Sequence, residues 1–334
     1  MNSLELNTYK QNRISELTKL YNVNMLRLNT YLVNTIRSIQ RSRYRSSIKQ
    51  SQINAAIANY NAEVATLRSK LNADIAKINA FSPTMLTNPT SKKALLIGCN
   101  YINTPYSLSG CMDDAERVKQ MLVQHGFTHF QVLTDVSDMK PTKTNILREF
   151  KNLVMNATPG DSLFFYFSGH GSFMADANRD ETDGKDELII STDLQAIKDD
   201  ELRSILTTYM KDGVRLTSMF DSCHSGTMMD LKYTYLDSNN YDSYTENSNV
   251  TDCKGDIIMI SGCMDSQTSA EGWIDNKPQG AMTWALLDSL QKLPSCSWRE
   301  LIKTMRDSLQ TGGYSQIPQI STGSFENMDA PVGL

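Results

Sequence analysis

The sequence predicts an α/β fold, a mostly parallel sheet flanked by helices, preceded by a separate N-terminal α-helical segment. Three observations carry this expectation. Residues 1–82 contain neither Pro nor Gly and space their apolar residues by three or four, the repeat of one helix face. Past residue 93, short apolar runs of strand length alternate with amphipathic stretches of helix length, the order that builds a parallel sheet covered on both faces. The charge balance also changes between the two patterns. Residues 1–80 hold twelve Lys/Arg against four acids, a balance of +8, and the remaining 21 basic and 33 acidic residues leave −12.

In the first segment (1–82) Ile14, Leu17, Tyr21, Met25, Leu28, Leu32, Ile36 and Ile39 make one stripe, and Ile53, Ile57, Tyr60, Val64, Leu67, Leu71, Ile75 and Ile78 make a second. The basic stretch RSRYRSSIKQ (41–50) separates them. Two helices or one long helix satisfy this pattern, arranged as a hairpin, a self-associating coiled coil or a helix docked on the next domain. Residues 83–92, with Pro83 and Pro89, read as a linker to a domain at 93–334. Its strands are ALLIGC (94–99), FQVLT (130–134), SLFFYFSG (162–169), VRLTSMF (214–220) and DIIMISG (256–262). Helices are expected at 113–126, 144–157, 199–210 and 282–293.

Composition narrows the function classes. With 40% hydrophobic and 21% charged residues the chain reads as soluble and globular, and a net charge of −4 does not mark a polyanion binder. The basic cluster near 41–50 reads as a solvated face sooner than as a nucleic-acid site. Six cysteines, at 99, 111, 223, 253, 263 and 296, form no CxxC pair, which argues against a zinc ribbon. The N-terminus has no apolar leader and no run approaches about 18 apolar residues. An intracellular, cytoplasmic location is the expectation.

Two strand ends carry the chemistry. SLFFYFSGHGS leaves its strand at His170 and RLTSMFDSCHS leaves its strand at Cys223. Ligands in such sheets collect beyond the carboxyl ends of the strands. A thiolate is the attacking species, and a neighbouring imidazole takes its proton and later returns one to the leaving group. Gly171 permits close backbone approach, and the N–H groups of Gly171 and Cys223 are candidate oxyanion donors. A buried structural cysteine beside a satisfied histidine is the plain alternative. Both residues follow apolar strands and are flanked by small residues, which favours a catalytic pair. A phosphatase loop would need arginine six positions after the cysteine, where this chain has Met229. His224 is the weaker candidate for the base.

YFSGHGS and FDSCHSGTMMDLKY closely resemble the histidine and cysteine motifs of metacaspases, caspase-fold cysteine peptidases. KKALLIGCNY, LSGCMDDAERV, KDELIISTD, ISGCMDSQTSAE, GAMTWAL and YSQIPQIST agree in order, so the resemblance spans roughly residues 92–322. His170 and Cys223 are 53 positions apart, near the ~50 of caspases. The short stretch between Asp230 and Gly255 is similar to the type I layout. The resemblance implies a caspase-like fold, large-subunit-like over about 93–230 and small-subunit-like over 255–334, with a loop at 231–254. It also implies Cys223 as nucleophile, His170 as base and cleavage after Arg or Lys. The implied pocket is Asp114, Asp221, Ser168 and Cys111. Two carboxylates suit a guanidinium or ammonium on physical grounds as well, although Asp114 and Asp221 are also placed to cap helices. Asp113 stands where the family has asparagine. A caspase-fold scaffold that binds partners through its N-terminal helices is the alternative from another class.

The acidic stretch 175–202 suggests a hard cation or a wet loop. Asp176, Asn178, Asp180 and Glu187 fall at EF-hand spacing, but Glu181 replaces the required glycine and a strand-like ELIIS follows. The resemblance instead implies a calcium site at Asp186, Asp199, Asp200 and Asp230, with calcium as activator, although the segment from Asp186 to Asp199 is shorter than the family pattern. If the chain cuts after basic residues it can also cut itself, with Lys254, Lys232, Arg45 and Lys49 as candidates and Lys92-Lys93 a further one ahead of the first strand.

Overall fold

The computed structural model describes residues 3–80, 89–175, 185–223, 226–235, 244–247, 250, 253–262, 271–274, 277–324 and 328–334. The chain divides into two compact units, Met1–Met85 and Leu86–Leu334. In the first, α1 (Ser3–Arg41) and α2 (Ser46–Ala80) form an antiparallel hairpin. Lys10 Nζ reaches the Asn79 carbonyl at 2.7 Å, and the Tyr60 hydroxyl bonds Asn29. The two apolar stripes face each other, yet two helices cannot enclose a core. Ile78 is buried, while Leu26 and Tyr31 stay 67% and 71% exposed. Among the described residues no helix is long and apolar enough to cross a membrane.

The second unit runs β1 (Lys92–Gly98), α3 (Cys111–Gln124), β2 (His129–Thr134), α4 (Lys143–Met155), β3 (Ser162–Ser168), β4 (Gly171–Ala175), β5 (Lys185–Ile190), β6 (Ala196–Lys198), α5 (Asp199–Tyr209) and β7 (Arg215–Asp221). It continues through β8 (Tyr233–Tyr235), β9 (Thr245–Glu246), β10 (Asp256–Ser261), β11 (Glu271–Ile274), β12 (Lys277–Gly280), α6 (Ala281–Lys292), α7 (Trp298–Thr311) and β13 (Gln319–Thr322). The main sheet has the order β2-β1-β3-β7-β10-β13-β8-β9. Its first five strands are parallel and the last three pair antiparallel.

Strand side chains alternate between faces, and the apolar runs feed two cores. Leu96, Phe164, Tyr166, Met219 and Ile258 pack with α3, α6 and α7. Leu95, Phe165, Phe167, Phe220 and Met259 pack with α4 and α5. The expected strands and helices appear within a few residues of the anticipated bounds. Helix α7 was not anticipated, although Ser297 and Glu300 make a reciprocal capping box at its start. Two further corrections follow from strand pairing. Lys92 and Lys93 lie inside β1, not ahead of it, because their backbone pairs with β3. The stretch 231–254 is not all loop, since β8 and β9 extend the sheet edge.

Phe165 is fully buried, with ring centroids 4.8 Å from Phe150 and 5.4 Å from Phe220. Phe165→Ala should therefore cost about 3–5 kcal/mol, and Ser297→Ala only about 1 kcal/mol through its lost cap. Urea unfolding of both variants checks this ranking, and equal losses would contradict the packing described.

Candidate active site

The site begins with strand register. β3 and β7 are neighbours in the middle of the sheet, parallel, with Ser168 opposite Asp221. Both strands therefore end on the same side, and His170 and Cys223 each stand two residues beyond that pair. The backbones stay close past the strand ends. A Cβ on Gly171 would run into the Cys223 carbonyl and sit 3.1 Å from its amide nitrogen. Only glycine allows this approach of the two backbones. Cys223 is a half-buried cysteine outside any disulfide. His224 lies outside the described residues.

His170 is held at three points. Its amide N–H donates to the Tyr101 hydroxyl at 2.7 Å, and that hydroxyl donates to the Ile190 carbonyl at 2.7 Å. The two rings stack loosely, with centroids 4.7 Å apart. Nε2 lies 2.7 Å from the Tyr106 carbonyl. A carbonyl only accepts, so Nε2 carries the proton and the neutral ring keeps its lone pair on Nδ1. Nδ1 is thus the atom able to take a thiol proton. Burial pushes the Tyr101 phenol far above its usual range, so it remains a donor.

Two of the candidate pocket residues, Asp114 and Asp221, meet the start of α6. Asp221, Asp114, Ser168 and Cys111 are all buried. Asp221 Oδ2 accepts from the Thr283 amide at 2.9 Å and from its hydroxyl at 2.6 Å. Asp114 Oδ2 accepts from the Gly280 amide at 2.7 Å, and its Oδ1 pairs with Arg117 Nη2 at 2.6 Å. Arg117 also bonds Gln279. The free N–H groups and positive dipole end of a helix suit two carboxylates. A Cβ on Gly280 would collide with Asp221 and lie 3.1 Å from Asp114 Oδ2, so the absence of a side chain there lets both acids approach. The Thr283 hydroxyl spends its proton on Asp221, so the 2.7 Å contact with Tyr166 is a bond that the phenol donates. Burial first, then the charges of Asp114 and Asp221, drives the Tyr166 phenol well above its usual range. Both aspartates thus meet the N-terminus of α6, and Asp114 also lies in the first turn of α3. Asp113 is exposed and does not join Asp114 in the interior.

The acidic stretch is gathered in part. Carboxylate oxygens of Asp186, Asp199 and Asp200 lie within 4.8 Å of one another. Asp186 and Asp199 are buried. Asp199 accepts from the Glu187 amide at 2.6 Å and the Asp200 amide at 2.7 Å, while Asp186 pairs with Lys198. Asp230, outside the group that meets within 4.8 Å, is buried on the chain after Cys223 with a left-handed φ of 46°. Asp176, Asn178, Asp180 and Glu181 lie outside the described residues, and Glu187 sits in strand β5, where an EF-hand would begin its helix.

Among the self-cleavage candidates, Lys254 is exposed just ahead of β10 and Arg45 is exposed between α1 and α2. Lys49 is in the first turn of α2, its Nζ on the Gln40 carbonyl at 2.8 Å, and Lys232 lies 3.9 Å from Glu246. Reading the sequence missed Tyr101, Tyr106, Arg117, Lys198, Gln279, Gly280 and Thr283. The small residues opening GAMT (280–283) were the available signal for the last two. Tyr106 contributes a main-chain oxygen, which no side chain announces.

The chain is similar to known proteins. Residues 92–232 match a family model described as metacaspase, peptidase C14 domain. Metacaspase-1 of Scheffersomyces stipitis is 35% identical over 291 residues, covering 71% of this chain and 72% of that protein. Metacaspase-1B of Aspergillus terreus is 36% identical over 282 residues, covering 69% and 74%. The crystal structure of protein GSU0716 from Geobacter sulfurreducens superposes with a TM-score of 0.54 at 25% identity, over 71% of this chain and 95% of that one. With a caspase-like sheet and relatives that match over two thirds of its length, the chain belongs to the metacaspase family and is a cysteine-type peptidase.

Proposed function

We propose that this peptidase is an endopeptidase that cuts after Arg or Lys through a Cys223–His170 dyad, is stimulated by calcium and cleaves itself. The observation carrying the specificity is the pair of buried carboxylates, Asp221 at the end of the strand that leads to Cys223 and Asp114 in the first turn of α3, both bonded to the start of α6. With Arg117 bound to Asp114, the group keeps one net negative charge. That complements a single guanidinium or ammonium and repels an acidic side chain.

His170 Nδ1 takes the proton of Cys223 Sγ, and the thiolate attacks the substrate carbonyl. The oxyanion meets the amides of Cys223 and Gly171. The imidazolium returns its proton to the leaving amine, and a water activated by Nδ1 then hydrolyses the thioester. The Tyr106 carbonyl accepting from Nε2 steadies the ring and its imidazolium through this cycle.

Asp186, Asp199, Asp200 and Asp230 are the residues that would hold calcium. The donor set fits a hard cation, being carboxylate oxygens gathered within 4.8 Å for the first three, with a lysine ammonium already resting on Asp186. Calcium would supply neutralising charge. Strand β5 explains how that charge reaches the dyad. Its Ile190 amide donates to the His170 carbonyl at 3.0 Å, and its Glu187 accepts from Thr227, on the chain just after Cys223. Self-cleavage is assigned to Lys254, the exposed candidate next to the polar segment.

Fluorogenic peptides ending in Arg, Lys or Asp, assayed with millimolar calcium or with chelator, test this reading. Arg and Lys peptides should be cut only with calcium, and Cys223→Ala should abolish turnover. Equal cutting of the Asp peptide would sink the pocket assignment. Asp221→Asn should lower kcat/KM on the Arg peptide by about 10- to 100-fold, the value of a charged hydrogen bond. Its melting temperature is recorded alongside, because Asp221 also anchors α6. Gly171→Ala should cost about 100-fold in kcat by shifting the dyad; wild-type turnover in that variant would remove the close-approach argument. In calcium, Lys254→Ala should remain one band on a gel while the wild type splits.

A further inference from the structure

The acidic trio already contains a cation. Lys198 immediately precedes Asp199 and Asp200, and its ammonium pairs with Asp186. Asp186 and Asp199 are only 2% and 1% exposed. Carboxylates buried this close to one another repel strongly unless a positive charge stands between them. We propose that Lys198 is a tethered counter-ion occupying the calcium position, so that calcium enters by displacing its ammonium. This deepens the calcium reading above and rests on it.

The backbone geometry fits an exchange of this kind. Lys198 pairs with Leu188 in the β5–β6 ladder, and its amide donates to Glu201 Oε2 at 3.1 Å as the cap residue of α5. The main chain is therefore fixed, and only the side chain needs to move. That side chain is 30% exposed, so it swings into solvent without opening the core. Asp199, in contrast, is held by two backbone amides and stays in place in either state. The lysine thus acts twice. It preserves the arrangement of the trio without calcium, and it raises the calcium concentration needed to fill the site.

Removing the ammonium therefore shifts two quantities in opposite directions. The test uses the full chain carrying Cys223→Ala, which prevents self-cleavage, with calcium titrated calorimetrically and melting followed in EDTA. Lys198→Met keeps the aliphatic stem and loses the charge. It should bind calcium at least about fivefold more tightly, the lower bound of a typical coupling, and melt at a lower temperature in EDTA. Lys198→Arg should behave like the lysine protein in both respects. A lysine protein that binds no calcium beside a methionine variant that does would support the proposal in its strongest form. Unchanged or weaker calcium binding by Lys198→Met, with the lysine protein binding normally, overturns it. If neither protein binds calcium, the underlying calcium reading fails and takes the inference with it, whereas cleavage after Arg is judged separately by the peptide assay.

Discussion

The parallel pairing of β3 with β7 is the constraint on which the site depends. Both strands are buried on two faces, so their side chains must alternate correctly into separate cores. Leu163, Phe165 and Phe167 enter one core while Phe164 and Tyr166 enter the other. A slip of one residue would reverse every one of these and also separate Ser168 from Asp221. With the register held, the two strand ends carry His170 and Cys223 to the same edge of the sheet. Gly171 then lets the chains remain in contact where a side chain would force them apart.

Buried charge is managed by the same architecture. An isolated carboxylate in the interior costs several kcal/mol, and this chain buries Asp114 and Asp221 together. Helix α6 offsets that cost with the amides of Gly280 and Thr283, and Arg117 adds a full positive charge. The same helix fills the core through Ala281, Met282, Ala285 and Leu286. Hydrophobic packing therefore positions the donors, and the donors position the acids. The two acids are held rigidly because moving either also disturbs a helix.

Strand β5 connects the remaining parts. One end lies in the acidic trio through Asp186, and the other bonds the His170 backbone through Ile190. The Tyr101 hydroxyl joins them by accepting from His170 and donating to Ile190. The acidic trio and the His170 backbone thus share a single short strand, with the Lys198 ammonium paired to Asp186.

Much of this was legible from local pattern. Strand and helix periodicity located the sheet, and strand ends followed by small residues singled out His170 and Cys223. The helix α7 signal, Ser297 with Glu300, was present but unread, and the pairing of Lys92 and Lys93 in β1 left no mark in their residue types. The hairpin was one of three arrangements the stripes allowed, and contact between α1 and α2 selected it. The sequence by itself determined which residues bring reactive or charged atoms. Only the tertiary structure decided which donors meet them, because those bonds join positions far apart in the chain. Asp221 meets Thr283 across 62 residues and Asp114 meets Gly280 across 166. The Tyr106 carbonyl orients His170 with an atom that every residue possesses, so its role arises from position alone.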